Sequence, residues 1–559
     1  MKRSKQFLIV GLLAAISGIV GYSFRPVPSN EFEMSKNIEI FGAVYKELNA
    51  YYVDEPMPGK LMKDGIDAML ESLDPYTVFY PESDIEDYRF MTTGQYGGIG
   101  AVIRKNGEYS QVAEPYEGYP AMKAGLIAGD MIYEIDGKSI KGMTSDEVSR
   151  FLKGAPGTSL KLKVKREGTE GFMEKTLVRE EIKIKDVPYY GMIDQQTGYI
   201  KLNSFTNTAS AEVKDAFKNL KEKHGMKQLV FDLRGNGGGL LTEAVAIVNI
   251  FVPRGTEIVR QKGRMPNMNA VYPAKEEPLD LNMPLVVLID EGSASASEIV
   301  SGSIQDLDRG VVVGQRSYGK GLVQQTRTLP YNSMMKLTVA KYYTPSGRCI
   351  QKLDYSHKDQ SGKATVVSDS LIKKFKTKNG REVFDGRGID PDVNVEMKEY
   401  SRIVASLYAQ NIIFDYATKF HRENNSITNA KEFRFTDAQY NDFLAFVKNK
   451  EYSYKTMSEE KFEELKKTAE REKYFQGAES EFEALLKKVQ PSKETDLMRF
   501  KDEIIEFIES EIVGRYYYQN GKIEHTLRTD PEIIEAIKIF NDPSRYKGIL
   551  NGSIKTDKK

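Results

Sequence analysis

The chain contains a cluster of small polar residues that could supply a nucleophile. The stretch GSASASEI carries Ser293, Ser295 and Ser297 just before an apolar segment with helical spacing. Ser295 and Glu298 match the S-x-x-E pattern of a helix N-cap, so capping alone would explain them. A helix N-terminus also presents free N–H groups where an oxyanion would develop. The loop by itself therefore leaves both roles open.

A serine nucleophile needs a base, and the histidines are poorly placed to supply one. A Ser-His-Asp site requires a histidine beside the nucleophile. None of the four histidines lies in a glycine-rich loop next to the predicted sheet: they are His224, His357, His421 and His525. We therefore expect a different residue type to act as the base.

The stretch YGKGLVQ places a lysine between two glycines. Gly319 and Gly321 predict a tight turn that carries Lys320. A lysine is normally protonated at neutral pH, but desolvation in an apolar site lowers its pKa and leaves an amine that can take a serine proton. Gln324 follows four residues later and is placed to orient that amine. Ser-Lys pairs are a recognised variant of triad chemistry, which makes this lysine the candidate base.

The same stretch also contains the spacing of a phosphate-binding loop. Gly314, four residues and then Gly319-Lys320 reproduce G-x-x-x-x-G-K after an apolar strand. However, Gly321 stands where a Ser or Thr must hold magnesium, and LVQQTRTL predicts a strand where a helix is required. Nucleotide binding is therefore not expected.

Two further glycine-rich stretches have the composition of backbone-binding loops. GNGGG (235–239) suits a plain turn, a phosphate cradle or half of an oxyanion hole, in which the N–H groups of Gly238 and Ala296 would be the two donors. A second loop, taken with YPAMKAGLIAGDMIYEIDGKSI (119–140), predicts a nest for a terminal carboxylate beside a free strand edge. That loop consists of Gly97, Gly98, Ile99 and Gly100.

Strands followed by helices must position these loops. KQLVFDL (227–233) and PLVVLID (284–290) are continuous apolar runs, as expected of strands covered on both faces. GNGGG follows the first run and EGSASAS the second, and each loop leads into a helix. Loops at the carboxyl ends of neighbouring strands form the sites of open α/β sheets, so we expect these two loops to lie together.

Changes in hydrophobic spacing and composition along the chain predict five segments, the first of which is residues 1–25. Residues 32–91 have helical spacing, with predicted helices from 35 to 52 and from 62 to 73; residues 92–180 have short alternating runs and glycine turns, interrupted by one helix from about 144 to 153. Residues 181–395 are mixed α/β, and residues 396–559 are a Glu- and Lys-rich helical region in which Ser480 and Glu483 fit a capping box. The predicted class is therefore a multidomain α/β protein.

The N-terminus and the charge balance restrict localisation and partners. MKRSKQ followed by FLIVGLLAAISGIVGYSF makes residues 1–25 a signal peptide or membrane anchor, which predicts an exported protein, periplasmic or otherwise extracytoplasmic and anchored to the inner membrane. Eighty basic residues balance eighty acidic ones, which gives no electrostatic argument for a nucleic-acid partner. Cys349 is the single cysteine, so the chain forms no internal disulfide.

An ordered series of motifs resembles one known family. The series extends from about residue 40 to 395 and consists of LDPYT (73–77), YGGIG, AGLIAGD, GYIKLNSF (198–205), FDLRGNGGG, GSASASEI, YGKGLVQ, YYTPSGRCIQ (342–351) and GRGIDPD (386–392). It resembles the C-terminal processing (tail-specific) peptidases, serine enzymes with a Ser-Lys dyad and an inserted PDZ domain. The resemblance implies a crotonase-like α/β peptidase core, with the PDZ domain at 92–180 and no metal or cofactor.

The resemblance also assigns roles to individual residues. It implies Ser295 as the nucleophile, Lys320 as the base and Gln324 as its partner, with the backbone of Ala296 and Gly238 as oxyanion donors. The implied substrates are proteins or peptides with apolar C-terminal tails, held by the loop 97–100. Lys153 stands at a PDZ position where the family pattern leads us to expect arginine.

Two other functions remain as alternatives from the sequence. A crotonase-like acyl-CoA enzyme could use a similar sheet and oxyanion loop, but it has little use for a peptide-holding insert or an export signal. A catalytically inactive PDZ scaffold would tolerate loss of the Ser-Lys pair, which this chain retains. The cleavage preference, homo-oligomer formation and the role of residues 396–559 are left open.

Overall fold

The computed structural model describes residues 30–490 and 492–554, and residues 30–79 belong to a unit of their own. Helices α1 (Asn30–Tyr51) and α2 (Pro58–Glu71) confirm the two helices predicted there, and strand β1 (Val78–Tyr80) follows. None of the helices in the described ranges is long and apolar enough to cross a membrane. The anchor predicted at residues 1–25 lies outside the described residues.

A small β-rich domain follows helix α3 (Ile85–Thr93). Strand β2 pairs antiparallel with β9, while strands β3, β4, β5, β7 and β8 form a sheet in that order, with β6 at the side of β5. Helix α5 is the helix predicted near 144–153, and Thr144 caps it by accepting from the Glu147 N–H. The elements are β2 (Gln95–Gly98), β3 (Ala101–Asn106), β4 (Tyr109–Pro115), α4 (Pro120–Lys123), β5 (Met131–Ile135), β6 (Lys138–Ser139), α5 (Ser145–Leu152), β7 (Ser159–Lys165), β8 (Met173–Val178) and β9 (Glu180–Lys183).

The largest domain is built on a mainly parallel sheet in the order β10-β11-β12-β15-β16-β23. Strand β10 is antiparallel to β11, and the other pairs are parallel. From residue 189 to residue 314 the elements are, in chain order, β10 (Tyr189–Met192), β11 (Thr197–Lys201), α6 (Ala209–Lys223), β12 (Gln228–Asp232), α7 (Leu241–Val248), β13 (Glu257–Gly263), β14 (Ala270–Pro273), β15 (Leu285–Ile289), α8 (Ala296–Asp306) and β16 (Val311–Gly314).

A second, antiparallel sheet packs beside the main one and joins β14, β13, β18 and β17 in that order. Strand β17 begins directly after the lysine turn, as LVQQTRTL predicted. The remaining strands are β17 (Leu322–Leu329), β18 (Ser333–Tyr343), β19 (Leu353–Lys358), β20 (Ala364–Val366), β21 (Lys374–Lys376), β22 (Glu382–Phe384) and β23 (Val393–Asn394).

The C-terminal region is helical, as predicted, although its predicted capping box is wrong. Helix α13 begins at Glu479 with Ala478 at the N-cap, and the Ser480 hydroxyl bonds the Glu481 carboxylate inside the first turn. The helices are α9 (Arg402–Ala409), α10 (Ile412–Glu423), α11 (Asp437–Val447), α12 (Met457–Arg471), α13 (Glu479–Val489), α14 (Lys493–Arg499), α15 (Lys501–Thr526), α16 (Pro531–Asn541) and α17 (Pro543–Leu550).

The main sheet is covered on both faces, which explains its continuous apolar strands. Residues that alternate along each strand face opposite ways. Leu229 and Phe231 pack in the cluster that contains helices α6, α7 and α8, whereas Val230 packs in the cluster that contains α16 and α17. The last helices of the chain therefore complete the core of the domain that carries the predicted catalytic loops.

Candidate active site

Ser295 lies at a strand–turn–helix junction between β15 and α8. Its backbone has φ 56° and ψ −111°, which is strained for a residue with a side chain. The Ser295 N–H donates to the Glu298 carboxylate at 2.8 Å, and the Glu298 N–H donates to the Ser295 carbonyl oxygen at 2.9 Å. A strained serine at such a turn is the geometry that exposes a nucleophile above a sheet.

The other serines of the run have structural partners. The Ser293 hydroxyl donates to the Leu233 carbonyl, and the Ser297 hydroxyl donates to the Asn236 carbonyl at 2.8 Å. Two more serines, Ser301 and Ser303, are fully buried and bond carbonyl oxygens of Ser297 and Ile258. Of the serines between 293 and 303, Ser295 is therefore the one whose hydroxyl is available to a ligand.

One cavity of about 430 Å³ brings the predicted catalytic residues together. Ser295, Lys320 and Gln324 all line it, together with Gly238. Its remaining wall is mixed. The apolar part includes Met91, Leu240, Leu241, Ile299, Leu322 and Val323, and the polar part includes Tyr88, Thr92, Ser204, Thr326, Lys336 and Tyr342. A cleft in which polar groups converge between apolar side chains is the usual form of a binding site.

A buried carboxylate joins the serine to the lysine turn. Glu298 is fully buried, and its Oε2 accepts from the backbone N–H groups of Ser295 (2.8 Å) and Lys320 (2.9 Å). Its Oε1 accepts from the Ser317 hydroxyl and from the Gly319 N–H. Burial raises the pKa of the Glu298 carboxyl, and these hydrogen bonds oppose the rise. The four donors fix both candidate residues to one rigid group.

The lysine turn is also held from its other side, as its glycines predicted. Gly319 has φ +91°, and a Cβ there would lie 2.5 Å from the Cβ of Lys352. The Gly321 N–H donates to Gln351 Oε1 at 2.7 Å, and Gln324 Nε2 donates to the Thr338 hydroxyl at 3.1 Å on β18. The Lys320 side chain thus projects from a backbone that has little freedom to move.

The glycine loop packs directly against the serine loop. A Cβ on Gly238, which has φ +99°, would lie 2.8 Å from the Ser295 Cβ and 2.9 Å from the Ala296 nitrogen. The Ala294 N–H donates to the Asn236 carbonyl at 3.0 Å. The Gly238 N–H itself donates to Asn236 Oδ1 at 2.9 Å, so this predicted oxyanion donor is engaged within its own loop.

Ala296 occupies the first position of helix α8. N–H groups in the first turn of a helix lack acceptors inside that helix. The next N–H group of the helix has an acceptor outside it, since the Ser297 N–H donates to the Ala294 carbonyl. The role of the Ala296 backbone as an oxyanion donor stays a prediction, and its place at the start of helix α8 is consistent with that role.

Comparison with known proteins identifies the family. Residues 196–356 match the model for peptidase family S41, residues 111–166 match a PDZ domain, and residues 403–540 match the C-terminal helical domain of probable PDZ-proteases. A carboxy-terminal-processing protease of Bartonella bacilliformis is 37% identical over 379 residues, which cover 67% of this chain and 85% of that protein. The chain belongs to peptidase family S41. It is a serine-type peptidase with a PDZ domain.

Other similar proteins are also named as proteases. A probable CtpA-like serine protease of Staphylococcus aureus is 33% identical over 401 residues, covering 70% of this chain and 72% of that protein. Among solved structures, the photosystem II D1 C-terminal processing protease is 28% identical and covers 64% of this chain and 92% of its own, with a TM-score of 0.35.

The PDZ domain contains a second, smaller cavity of about 170 Å³ beside the predicted carboxylate loop. Gly98 and Ile99 line it together with Ala101 and Ile103 of β3. Helix α5 and its C-cap supply Ser149, Leu152 and Lys153 to the opposite side. An apolar pocket between a glycine loop, a strand edge and a helix suits an extended peptide end.

The two outer glycines of that loop shape it without lining this pocket. There is no space for a side chain at Gly97, because a Cβ there would clash with the Gly154 carbonyl oxygen. Gly100 has φ +68° and lies against Tyr119. Gly97 lines a separate cavity of about 690 Å³ together with Arg150, Lys153 and Gly154. The carboxylate-binding role of residues 97–100 stays a prediction.

Two features of these sites were not predicted from the sequence: the links of Glu298 to the lysine turn, and helix α3 as a cavity wall. Glu298 was recognised as a capping partner, and its links to the lysine turn have no local signal because Ser317, Gly319 and Lys320 lie about 20 residues away. Helix α3 was also missed. Its Met91 lines the catalytic cavity, and its Phe90 lines the PDZ pocket.

Proposed function

We propose that this peptidase binds the C-terminal tails of protein substrates through its PDZ domain and cleaves them at Ser295. The observation that carries the proposal is the shared cavity of Ser295, Lys320 and Gln324. A catalytically inactive scaffold would not need these three side chains in one cavity.

The proposed reaction proceeds through an acyl-enzyme. Ser295 Oγ attacks the scissile carbonyl carbon while neutral Lys320 accepts the hydroxyl proton, and Gln324 orients the amine. The N–H groups of Ala296 and Gly238 stabilise the oxyanion, which requires the Gly238 N–H to exchange its Asn236 acceptor for the substrate. The lysine then returns the proton to the leaving amine, and water releases the acyl group.

Cleavage of an unfolded protein by the full chain tests the dyad. We expect Ser295→Ala and Lys320→Ala to abolish turnover. Lys320→Arg should be equally inactive, because arginine keeps the charge but cannot serve as a base. Ser301→Ala, which changes a buried serine of the same run, should keep wild-type activity. Turnover that survives in Ser295→Ala would favour the scaffold alternative or another site.

Matched substrates test the role of the tail. Two peptides that differ only in a free or an amidated C-terminus should differ in KM, since the amide lacks the carboxylate that the loop 97–100 would bind. Equal KM values for the two peptides would contradict tail binding.

We also propose a crotonase-like arrangement for the core. The parallel strands β11, β12, β15 and β16 carry their loops at one edge, and helix α8 directs its N-terminus at the cavity. We retain the division of the chain at 92–180, 181–395 and 396–559 as part of this proposal.

The basic and apolar composition of residues 1–25 supports export with attachment to the membrane. Fractionation of cells that produce the full chain, with external protease added, tests this. We expect the chain in the membrane fraction and sensitive to external protease once any outer barrier is opened.

A further inference from the structure

The arginine that begins the glycine loop is bound by the C-terminal helical region. Arg234 directly precedes Gly235 and follows strand β12. Its Nη1 lies 2.8 Å from Asp530 Oδ2 and 3.2 Å from Glu532 Oε2. Asp530 caps helix α16 by accepting from the Ile533 N–H at 3.0 Å. Residues almost 300 positions apart in sequence therefore form one ionic contact at the base of the loop.

The contact belongs to a larger group of buried charges. Asp232 is buried and accepts from Arg234 Nη2 (2.7 Å) and from the Tyr199 hydroxyl (2.7 Å). Asp232 also forms an ion pair with Lys201, whose Nζ is 3.3 Å away and donates to the Arg234 carbonyl. One carboxylate of the sheet thus faces two cations, and Asp530 and Glu532 bring two more carboxylates to Arg234. A buried cation without a partner is costly, and Arg234 is therefore paired both with its own strand end and with the C-terminal region.

The loop beyond Arg234 has little stiffness of its own. Four of its five residues are glycine, and Gly235, Gly238 and Gly239 have positive φ. Glycine has the greatest backbone freedom of any residue. No atom lies within 4 Å of a Cβ placed on Gly237, so that part of the loop is also free of side packing. Hydrogen bonds of Asn236 hold the middle of the loop, since its Nδ2 donates to the Leu202 carbonyl and its carbonyl accepts from the Ala294 N–H, and Arg234 holds the start of the loop.

We propose that Asp530 and Glu532 are positioning residues for catalysis, which hold Arg234 and thereby place the glycine loop against Ser295. This inference rests on the proposed function, because it assumes that the loop serves the oxyanion. The two carboxylates do not touch the reacting atoms. Their contribution is made in the transition state, where the loop must present its N–H group within hydrogen-bonding distance.

Neutral, nearly isosteric substitutions in the full chain test the proposal. We expect Asp530→Asn combined with Glu532→Gln to lower kcat about tenfold with KM within about twofold, because an interaction that matters only in the transition state changes kcat alone. The inhibition constant of a substrate-like peptide aldehyde should rise by a similar factor, since its tetrahedral adduct uses the same oxyanion site. Asn at position 530 keeps the capping oxygen for helix α16.

Glu535→Gln provides the matched control. Glu535 lies on the same helix and pairs with Arg545 at 2.6 Å, away from the glycine loop. This variant should keep wild-type kcat, KM and aldehyde inhibition. If the double variant fails to fold, Asp530→Asn alone is measured and is expected to lower kcat at least threefold.

The outcomes separate this inference from the proposed function. A folded double variant whose kcat and aldehyde inhibition equal those of the control would overturn the positioning role, while Ser295→Ala remained inactive. Equal losses of activity in the double variant and in Glu535→Gln would also overturn it, because they would show a general effect of helix α16. Cleavage that persists in Ser295→Ala would instead overturn the proposed site.

Discussion

At the scale of single residues, the site depends on the backbone conformation of a few residues and on close backbone contacts that a larger side chain would block. Ser295, the proposed nucleophile, has a strained backbone, and Gly238 approaches it so closely that the α-carbon of Gly238 has no room for a methyl group. Glu298 then fixes the N–H groups of Ser295 and Lys320 with the same oxygen. Small changes at Gly238 or Glu298 should therefore affect catalysis more than substrate binding.

Gly238→Ala should lower kcat by about 100-fold or more. The added methyl would lie 2.7 Å from the Ala294 carbonyl oxygen and would push the loop away from Ala296. Loss of one oxyanion donor typically costs about 10² to 10³ in rate. Gly237→Ala is the control, since its Cβ meets nothing within 4 Å, and should lose far less. Similar kinetics for the two variants would argue against the loop's oxyanion role.

Glu298→Gln should reduce kcat at least tenfold and lower stability. Each carboxylate oxygen of Glu298 accepts from two donors. The amide –NH₂ would replace one acceptor by a donor and leave two donors without partners, which costs about 1 to 3 kcal/mol for each unsatisfied buried group. Steady-state kinetics and thermal unfolding measure both effects. A variant with wild-type kcat would show that the link between serine and lysine turn is dispensable.

At the scale of elements, strand β3 and helix α5 form the walls of the PDZ pocket. Ala101 and Val102 are neighbours on β3, and the first lines the pocket while the second is exposed. Adjacent residues of a strand point to opposite faces. The pair thus offers a substitution inside the pocket and a matched one outside it.

Ala101→Phe should weaken binding of an apolar tail peptide at least tenfold, because an aromatic ring occupies much of a cavity of about 170 Å³. Val102→Phe should leave the affinity close to wild type. Isothermal titration with a free-carboxylate peptide measures both. Unchanged affinity in Ala101→Phe would place the tail site elsewhere.

At the scale of the whole molecule, the C-terminal helices contact both functional domains. Helices α16 and α17 cover one face of the main sheet. Earlier in the same region, the Phe414 ring of helix α10 contacts two guanidinium groups. The guanidinium carbon of Arg104 is 3.4 Å from the ring centroid, and that of Arg515 is 4.1 Å from it. Arg104 belongs to strand β3 of the PDZ domain, so the helical region holds that domain as well.

Phe414→Ala should loosen the PDZ domain from the helical region, because it removes the apolar surface on which Arg104 stacks. We expect faster hydrogen exchange in β3 and β4, with exchange in β12 and β15 unchanged. Phe446→Ala removes another ring of the helical bundle, one that packs on Tyr416, and should leave exchange in β3 unchanged. Unchanged exchange in β3 of Phe414→Ala would contradict the docking role.

The features that could be predicted from the sequence are those that depend on local residue patterns and on the order of motifs along the chain. The runs at 227–233 and 284–290 became adjacent parallel strands, and Ser295 and Lys320 line one cavity. The serine loop on its own did not identify its nucleophile, because the distinction lies in hydrogen bonds to distant residues such as Leu233. The Arg234–Asp530 contact is also long-range, and no spacing rule reaches across 296 residues.

The most direct test of the account is covalent labelling of the full chain with a peptidyl fluorophosphonate, followed by mapping of the modified residue. A serine activated by Lys320 should be labelled selectively at Ser295, and Lys320→Ala should slow that labelling at least 100-fold while the variant remains folded. Labelling at a different serine, or an equal rate at Ser295 in wild type and Lys320→Ala, would contradict the Ser-Lys dyad.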